Sequence, residues 1–301
     1  MKPVVAFVSA RAARGLDEDV PPFEAAMQSA GVRLEVVDWD DPTVQWESFD
    51  LALLRSTWDY TERLREFLVW VDATARRTTV LNPPAVVRWN TDKHYLRDLA
   101  GAAVPVPVVP STFVEPRESA ERALDSFLAQ HDCPEFVVKP TVSANSRDTE
   151  RHARTRVDPA VAQARRLLDA ERSVLLQPYL ESVDRDGETS LIYFAGKFSH
   201  AIRKAPVLPA GVAGPPTVGL IIPERITPRV PGADELRVAE RALAALPFET
   251  PLYARIDLIR DASGAPTLLE LELTEPSLFL VHAPGAAERF AAAVLEVART
   301  L

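Results

Sequence analysis

The chain has 301 residues, 47% of them hydrophobic and 26% charged, and its formal net charge is −9. This composition is typical of a globular protein, and the length suffices for about two domains. Because there is no basic surplus to neutralise phosphates, the charge argues against nucleic acid and anionic membranes as partners. A single cysteine, Cys133, excludes an internal disulfide, and scattered histidines argue against a zinc site. No apolar run reaches membrane-spanning length, so we expect no membrane partner and a cytoplasmic location.

The first 90 residues alternate between predicted strands and helices. Apolar runs at 4–10, 33–39 and 49–56 predict three strands, and TTVLNP predicts a short fourth. Helices are predicted at PPFEAAMQSAG, which Gly31 ends, and at RLREFLVWVDATAR. This β-α-β-α-β order implies a parallel sheet with right-handed crossovers. The NPP at 82–84 marks a predicted domain boundary.

Ligands of such sheets bind beyond the carboxyl ends of the strands. The stretches that follow the first and third strands are SARAARG and RSTWDY. They predict four candidate substrate residues: Ser9, Arg11, Arg55 and Ser56. The alternative for Arg55 is an ion pair with a local acid at the sheet edge. The first turn has no G-x-G-x-x-G, which argues against a dinucleotide-binding fold.

Beyond residue 90 the pattern changes. Asn90 or Thr91 is expected to begin a helix that ends at Gly101. Strands are predicted at EFVVKP and SVLLQPYL, with helices at ESAERALDSFLAQH and DPAVAQARRLLDA. ETSLIYF and KFSHAIRK form one predicted hairpin, and YARIDLIR and TLLELEL form another. A helix is expected at 234–246, and a further helix ends the chain.

The stretch LLELELTEP has two carboxylates, Glu270 and Glu272, on an otherwise apolar strand. Strand alternation places both on one face. If Asp257 lies opposite Glu270, it shares that face, and Arg255 then lies across from Glu272. Three carboxylates so close together favour a hard cation such as Mg²⁺. The alternative is an exposed acidic face balanced by Arg255.

Three further features would suit a nucleotide. Lys139 ends the strand VVKP and Lys93 lies in NTDKHYL, although each lysine alone could simply be solvated. Only five of the 34 basic residues are lysines, which makes a lysine in a candidate site more informative. In LLQPYLESVDRDGETS, a strand that ends near Gln177 could present backbone groups to a purine, and Glu188 could accept from ribose hydroxyls.

Together these motifs resemble the ATP-grasp superfamily. N-x-x-K, V-V-K-P, Q-P-Y-L with a later G-E-x-S, R-I-D and E-L-E-L-T-E-P follow in the family's order between about 90 and 280. Within the superfamily the chain resembles the glutathione-synthetase-like ligases. Over its whole length, through VVDWDDP and LLRSTWDYTERL, it is similar to the cyclo-ligases that convert O-ureido-D-serine to D-cycloserine.

The resemblance implies an α/β fold class, with α+β character in the C-terminal part. We expect an ATP-grasp fold in which a Rossmann-like parallel α/β domain precedes two α+β subdomains that bind ATP between them. The predicted units are a substrate-side domain at 1–88, a lid subdomain at 89–185 and a catalytic subdomain at 186–301.

The resemblance also implies roles for the nucleotide-binding residues. Lys93 and Lys139 match the two lysines that contact phosphates. The adenine- and ribose-binding positions match Gln177, Tyr179, Leu180 and Glu188. The phosphate loop departs from the family pattern, because TVSANSRDTERHARTR lacks the usual glycines. Side-chain donors would replace backbone donors there, and the candidates are Ser143, Asn145, Ser146 and Arg147. Alternatively, the loop is a lid that becomes ordered only over ATP.

The metal and catalytic positions follow from the same resemblance. Asp257 and Glu270 match the magnesium carboxylates, and Glu272 stands where relatives have asparagine. Arg203 matches a basic residue near the transferred phosphoryl group, whereas Lys204 lies on the opposite strand face and ranks lower. The catalytic candidates are therefore Arg203, Lys204 and Arg255.

The implied cofactors are ATP and Mg²⁺, and the implied substrate is an amino-acid-like carboxylate that is activated as an acyl phosphate. In the cyclo-ligase interpretation a ureido nitrogen of the same molecule captures this intermediate, giving cycloserine, CO₂, NH₃, ADP and phosphate. One alternative is a ligase that joins a carboxylate to a separate amine. Another is a non-catalytic ATP-binding protein. By analogy with relatives we also expect a homo-oligomer.

Overall fold

The computed structural model describes residues 3–208 and 225–300. Its N-terminal elements are β1 (Val4–Ser9), α1 (Val20–Ser29), β2 (Arg33–Asp38), β3 (Leu51–Ser56), α2 (Leu64–Thr74) and β4 (Thr79–Leu81). The four strands form a parallel sheet in the order β2-β1-β3-β4. The predicted parallel sheet is confirmed, and Gly31, with a φ of +79°, follows the end of α1 as expected.

The central part of the chain forms a second, antiparallel sheet. Its elements are α3 (Pro84–Asn90), α4 (Tyr95–Ala100), β5 (Thr112–Val114), α5 (Ala120–Gln130), β6 (Glu135–Pro140), β7 (Glu150–Ala153), α6 (Asp158–Asp169) and β8 (Val174–Pro178). The strand order is β5-β8-β6-β7. The short strand β7 was not predicted, because E-R-H-A has no apolar alternation and pairs with β6 through its backbone.

The C-terminal part contains the largest sheet, with five strands in the order β11-β10-β9-β12-β13. Its elements are α7 (Ser182–Asp186), β9 (Glu188–Phe194), β10 (Lys197–Lys204), β11 (Ile226–Arg229), α8 (Ala233–Ala244), β12 (Tyr253–Arg260), β13 (Pro266–Glu272) and α9 (Ala286–Ala298). Both predicted hairpins are confirmed. Asp257 pairs with Glu270 and Arg255 with Glu272, which is the predicted register. A bulge next to Asp257 leaves Leu269 as the extra residue of β13.

Asn90 and Thr91 do not begin a helix, contrary to our expectation. Asn90 is the last residue of α3, and the next helix begins at Tyr95. The Asn90 side chain instead donates to the carbonyl of Leu271 at 2.7 Å and accepts from the N–H of Leu273 at 2.6 Å. This buried amide therefore satisfies the backbone of β13 and its end, not the start of a helix.

The first and third sheets share one hydrophobic core. Phe290 of α9 lies 4.5 Å from the ring centroid of Phe23 in α1 and 4.9 Å from that of Phe194 in β9. The three sheets fall within residues 4–81, 112–178 and 188–272, whereas the exact domain division stays a prediction. Among the described residues, no helix is long and apolar enough to cross a membrane.

Candidate active site

One cavity of about 640 Å³ is lined by strand residues of the second and third sheets and by residues of the loops that follow β1 and β3 in the first sheet. Most residues predicted to bind ATP line it, namely Lys93, Lys139, Ser143, Asn145, Ser146, Gln177, Tyr179, Leu180 and Glu188. The exception is Arg147, which does not line the cavity and pairs with Glu62 instead. Of the metal and catalytic candidates, those that line it are Lys204, Arg255, Glu270 and Glu272. This volume is that of a typical small-molecule site.

The predicted adenine end of the cavity has a fixed wall. Its apolar lining includes Val137, Ile259 and Leu269. The Tyr179 hydroxyl donates to Asp184 at 2.6 Å, and the Arg151 guanidinium lies 3.5 Å from the Tyr179 ring centroid. The Gln177 amide donates to the Ser111 hydroxyl at 2.9 Å. A wall held in this way suits a flat heterocycle such as a purine, although nucleotide binding here stays a prediction.

Two buried lysines lie beside this wall. The Nζ atom of Lys93 is 3.0 Å from Oε1 of Glu270 and donates to the carbonyl of Ser143 at 3.0 Å. Burial lowers the pKa of Lys139 to about 8, against the attraction of Glu270. For Glu270, burial alone would raise the pKa, but Lys93 and Lys139 outweigh it and hold the pKa below its ordinary value. Lys93 and Lys139 therefore place two ammonium groups at the cavity, where they suit phosphate oxygens.

The phosphate loop, residues 141–149, adopts left-handed backbone conformations without glycine. The φ angles of Asn145, Ser146 and Asp148 are 53°, 54° and 57°. Asn and Asp tolerate this conformation better than most residues. Arg172 stabilises the loop by donating to the Asp148 carboxylate at 2.6 Å and to the carbonyl of Val142 at 3.2 Å. Side-chain contacts thus replace glycine in shaping the loop, whereas ordering over ATP stays a prediction.

The acidic face of the hairpin is neutralised by cations. Asp257 is 1% exposed and accepts from Lys204 at 2.9 Å and from Nη2 of Arg255 at 3.0 Å. Burial would raise the pKa of Asp257, but Arg255 and Lys204 hold it well below the ordinary value. Arg255 also donates to Glu272. Burial nevertheless raises the pKa of Glu272 to about 7, helped by the charge of Glu270.

The three predicted metal ligands, Asp257, Glu270 and Glu272, fit a magnesium ion only in part. In residues 3–208 and 225–300, no group of three or more His, Cys, Asp or Glu side chains is arranged to hold a metal ion. Glu270 and Glu272 both line the cavity and offer the oxygen donors that Mg²⁺ prefers, so these two residues fit an ion that also binds phosphate. Asp257 is not part of the lining and is already paired with Lys204 and Arg255. Its role as a ligand stays a prediction.

The positions of Arg203 and Lys204 do not support our ranking of Arg203 above Lys204 as a catalytic candidate. Arg203 does not line the cavity, and it donates to the carbonyl of Asp186 at 2.6 Å. Lys204 lines the cavity and bridges Glu188, at 2.8 Å, and Asp257. Because neighbouring strand residues point to opposite faces, only one of the pair can face the cavity, and it is Lys204.

The structure does not bring the four predicted substrate residues to the cavity lining. Ser9 and Ser56 are buried at the strand ends, where Ser56 donates to Asp17. Arg11 is exposed in the following loop. Arg55 is buried and lies 3.6 Å from Asp19, which agrees with the alternative of pairing with a local acid.

Other residues line the cavity instead, and some of them come from stretches that the sequence analysis selected. They include Asp17, Trp58, Tyr60, Glu275 and His282. Tyr60 belongs to RSTWDY and Glu275 to LLELELTEP, so the sequence analysis selected these stretches but not these residues. Burial, with the charge of Glu272, raises the pKa of Glu275 to about 8, and Tyr60 hydrogen-bonds its carboxylate.

Comparisons with known proteins identify relatives over nearly the whole chain. A family model described as the N-terminal domain of D-cycloserine synthetase DcsG matches residues 5–82. Cycloserine biosynthesis protein DcsG of Streptomyces lavendulae is 42% identical over 300 residues, covering 97% of this chain and 98% of that protein. The crystal structure of D-cycloserine synthetase DcsG has a TM-score of 0.90 at 41% identity, covering 98% of this chain and 99% of that chain. The ATP-grasp ligase PsnB, complexed with a precursor variant, Mg and ADP, shares the fold with a TM-score of 0.65 at 18% identity over 98% of each chain.

The predicted ATP-grasp fold is confirmed by these structures, and the predicted enzyme class by the relatives that extend over nearly the whole chain. The individual site residues stay predictions, and only those that line the cavity are supported by a common position. This chain belongs to the DcsG family of ATP-grasp enzymes and is an ATP-dependent ligase.

Proposed function

We propose that this protein closes O-ureido-D-serine to D-cycloserine at the expense of ATP. The substrate carboxylate attacks the γ-phosphorus of ATP, which gives an acyl phosphate and ADP. The ureido nitrogen bonded to oxygen then attacks the acyl carbon, and phosphate leaves as the ring closes. One water hydrolyses the carbamoyl group from that nitrogen, releasing CO₂ and ammonia.

The observation that carries the proposal is a single cavity lined by both cationic and acidic side chains. Lys93 and Lys139 supply positive charge where we predict the nucleotide to bind, and Asp17 and Glu275, which follow β1 and β13 in the chain, line the same cavity. Transfer of a phosphoryl group to a carboxylate needs a cationic region beside the substrate. The choice of substrate is supported by the name of a relative that is 42% identical over 97% of the chain.

The cations of the cavity would offset the repulsion between two anionic reactants. Lys93 and Lys139 are placed to bind phosphate oxygens, and Arg255 to stabilise charge on the acyl carbon's oxygen. Glu270 and Glu272 would hold Mg²⁺, which would supply further positive charge to offset the negative charge of the phosphates. Lys204 neutralises Glu188 and Asp257 behind this region.

The acidic side chains of this lining would suit an amino acid that carries an ammonium group. Asp17 lines the cavity and can accept from the ammonium group, and Glu275, whose pKa is raised to about 8, can hydrogen-bond the substrate in its neutral form. Arg255 also lines the cavity, where it donates to Glu272 and would face the substrate carboxylate. The rings of Trp58 and Tyr60 confine the same space. Confinement favours a curled substrate, and bringing the ureido nitrogen close to the acyl carbon makes ring closure effectively unimolecular.

The test is ADP release with Mg·ATP and O-ureido-D-serine as the only other substrate. We expect ADP and cycloserine in equal amounts. ADP release without ring formation would contradict the cyclisation. If turnover requires an added amine, the protein is a ligase that joins two substrates. If no carboxylate or amine supports ADP release, the proposal fails in favour of a non-catalytic ATP-binding protein.

A further inference from the structure

Residues 276–282, here called the wall segment, form one side of the substrate end. Ser277, Phe279 and His282 of this segment line the cavity. The segment follows β13 and its end without regular structure until a short helical turn at Leu280–His282. Phe279 has φ 53° and ψ 40°, a left-handed conformation that is unfavourable for a bulky side chain. Such a backbone persists only when its surroundings hold it in place.

Asp19 holds this backbone from behind. Its carboxylate is 1% exposed and accepts three consecutive N–H groups. Oδ2 accepts from Leu278 at 2.6 Å and from Phe279 at 3.2 Å, and Oδ1 accepts from Leu280 at 2.6 Å. Three consecutive N–H groups form an anion-binding concavity, and here the protein's own carboxylate fills it.

Arg55 completes the support. It is 1% exposed, donates to the carbonyl of Pro276 at 2.7 Å, and lies 3.6 Å from Oδ2 of Asp19. Its guanidinium is 5.3 Å from the ring centroid of Tyr253 and 5.7 Å from that of Phe290. Removing either partner of such a buried pair leaves the other charge uncompensated.

The wall segment in turn contacts the catalytic candidate Arg255. The Arg255 Nη1 atom donates to the carbonyl of Ser277 at 3.3 Å, and its guanidinium lies 5.5 Å from the Phe279 ring centroid. Neither Asp19 nor Arg55 lines the cavity. We propose that Asp19 and Arg55 are positioning residues that fix the wall segment and, through it, Arg255 and the substrate end. This inference rests on the proposed function for its kinetic readout only.

The first test replaces Asp19 by Asn, which keeps the shape but turns one acceptor into a donor that faces an N–H group. A misplaced wall should lower kcat and raise KM for O-ureido-D-serine, with a combined loss on the order of 10²-fold in kcat/KM. The KM for ATP should stay within about twofold, because this change affects only the substrate end. The matched control is Asp38→Asn, another buried aspartate, which pairs with Arg14 in the N-terminal part.

The second test compares Arg55→Met with Arg55→Lys, which keeps the charge. Compared with Arg55→Met, Arg55→Lys should have a lower KM for O-ureido-D-serine and a higher kcat, both closer to the wild-type values. The inference would be overturned if the Arg55 variants lost ATP affinity to the same extent as they lost substrate turnover. It would also be overturned if their kcat/KM for O-ureido-D-serine fell no further than that of Asp38→Asn. Absence of wild-type turnover would instead defeat the proposed function. In that case amide hydrogen exchange decides, since Asp19→Asn should expose Leu278–Leu280 while Asp38→Asn leaves them protected. Unchanged exchange at these amides would overturn the positioning role.

Discussion

Lys139 ends the buried strand β6 with its ammonium group at the cavity, and it is 7% exposed. Burial lowers its pKa to about 8 from the ordinary value of 10.5. The folded protein therefore loses this charge as pH rises through about 8, and it keeps the charge below that pH. Because the ammonium form binds phosphate, we expect ATP affinity to fall above pH 8 by up to about tenfold per pH unit.

The measurement is the Kd for ATP between pH 6.5 and 10 in the wild type, Lys139→Arg and Lys197→Arg. The arginine variant should bind with little change above pH 8, since its guanidinium keeps its proton. Lys197 is exposed on β10, so its substitution should leave the wild-type profile intact. An identical decline in Lys139→Arg would assign the titration to another group.

Replacing Glu270 distinguishes the two interpretations of the acidic strand, which are a shared cation and an exposed acidic face balanced by Arg255. Glu270 faces the cavity and lies 3.0 Å from Lys93, while its strand is at the edge of the sheet. We expect Glu270→Ala to fold and to lose turnover by on the order of 10³-fold, since charge stabilisation at the phosphates is lost. ADP release and the thermal midpoint measure both effects, with Glu296→Ala on α9 as an exposed control. Normal turnover or an unfolded variant would contradict the shared-cation interpretation.

The face of a strand on which a residue lies could be predicted from the sequence, whereas the long-range partners of its side chain could not. Alternation alone puts Glu270 and Glu272 on one face, and the register with β12 is observed. Arg55 follows from no such rule, because its partner Pro276 lies 221 residues further along the chain. A position at a strand end predicts where the backbone of a residue lies. The contacts of a long side chain such as that of Arg55 depend on the tertiary fold and could not be predicted.

At the scale of elements, hydrophobic period predicted the strands and helices that pack on a core. It did not predict β7, which pairs through its backbone and has no apolar face. Nor did it predict α3 or the start of the next helix at Tyr95, since Asn90 is committed to β13 and its end, far along the chain. The conformation of the phosphate loop was also beyond the sequence, because it depends on Arg172 and other side chains from outside the loop.

Arg172 provides the element-scale prediction. We expect Arg172→Met to loosen the phosphate loop, because the variant loses the donors to Asp148 and Val142. The cost is about 1 kcal/mol after allowance for partial exposure, which corresponds to a rise of about fivefold in the KM for ATP. The KM for the carboxylate substrate should not change. Steady-state kinetics measure both constants.

The control for this experiment is Arg165→Met. Arg165 belongs to the neighbouring helix α6 and pairs with Glu121, away from the loop. Equal effects of the two variants on the KM for ATP would show that the loop does not depend on Arg172.

At the scale of the whole molecule, the order of the three sheets could be predicted, but their contacts could not. Phe23, Phe194 and Phe290 meet in one core although they come from widely separated parts of the chain. The stretch NPP indicated a boundary at residues 82–84. The structure shows that Asn82 in this stretch is also a junction between two sheets.

Asn82 is fully buried, and its side chain hydrogen-bonds three backbone groups of the C-terminal part. Its Nδ2 atom donates to the carbonyls of Tyr253 at 3.0 Å and Leu273 at 2.6 Å, and Oδ1 accepts from Leu252 at 2.8 Å. Asn82→Ala would leave these groups buried without partners, so we expect the free energy of unfolding to fall by about 2 to 4 kcal/mol.

Urea denaturation, followed by tryptophan fluorescence and circular dichroism, measures this loss for Asn82→Ala and for Gln130→Ala. Gln130 is an exposed amide that bonds only Ser126 among the described contacts, so its variant should stay within about 0.5 kcal/mol of the wild type. A loss equally small for Asn82→Ala would mean that the shared aromatic core alone joins the sheets. A large loss would mean that the cavity depends on this polar junction, because residues of the C-terminal sheet and of the loops that follow β1 and β3 line it.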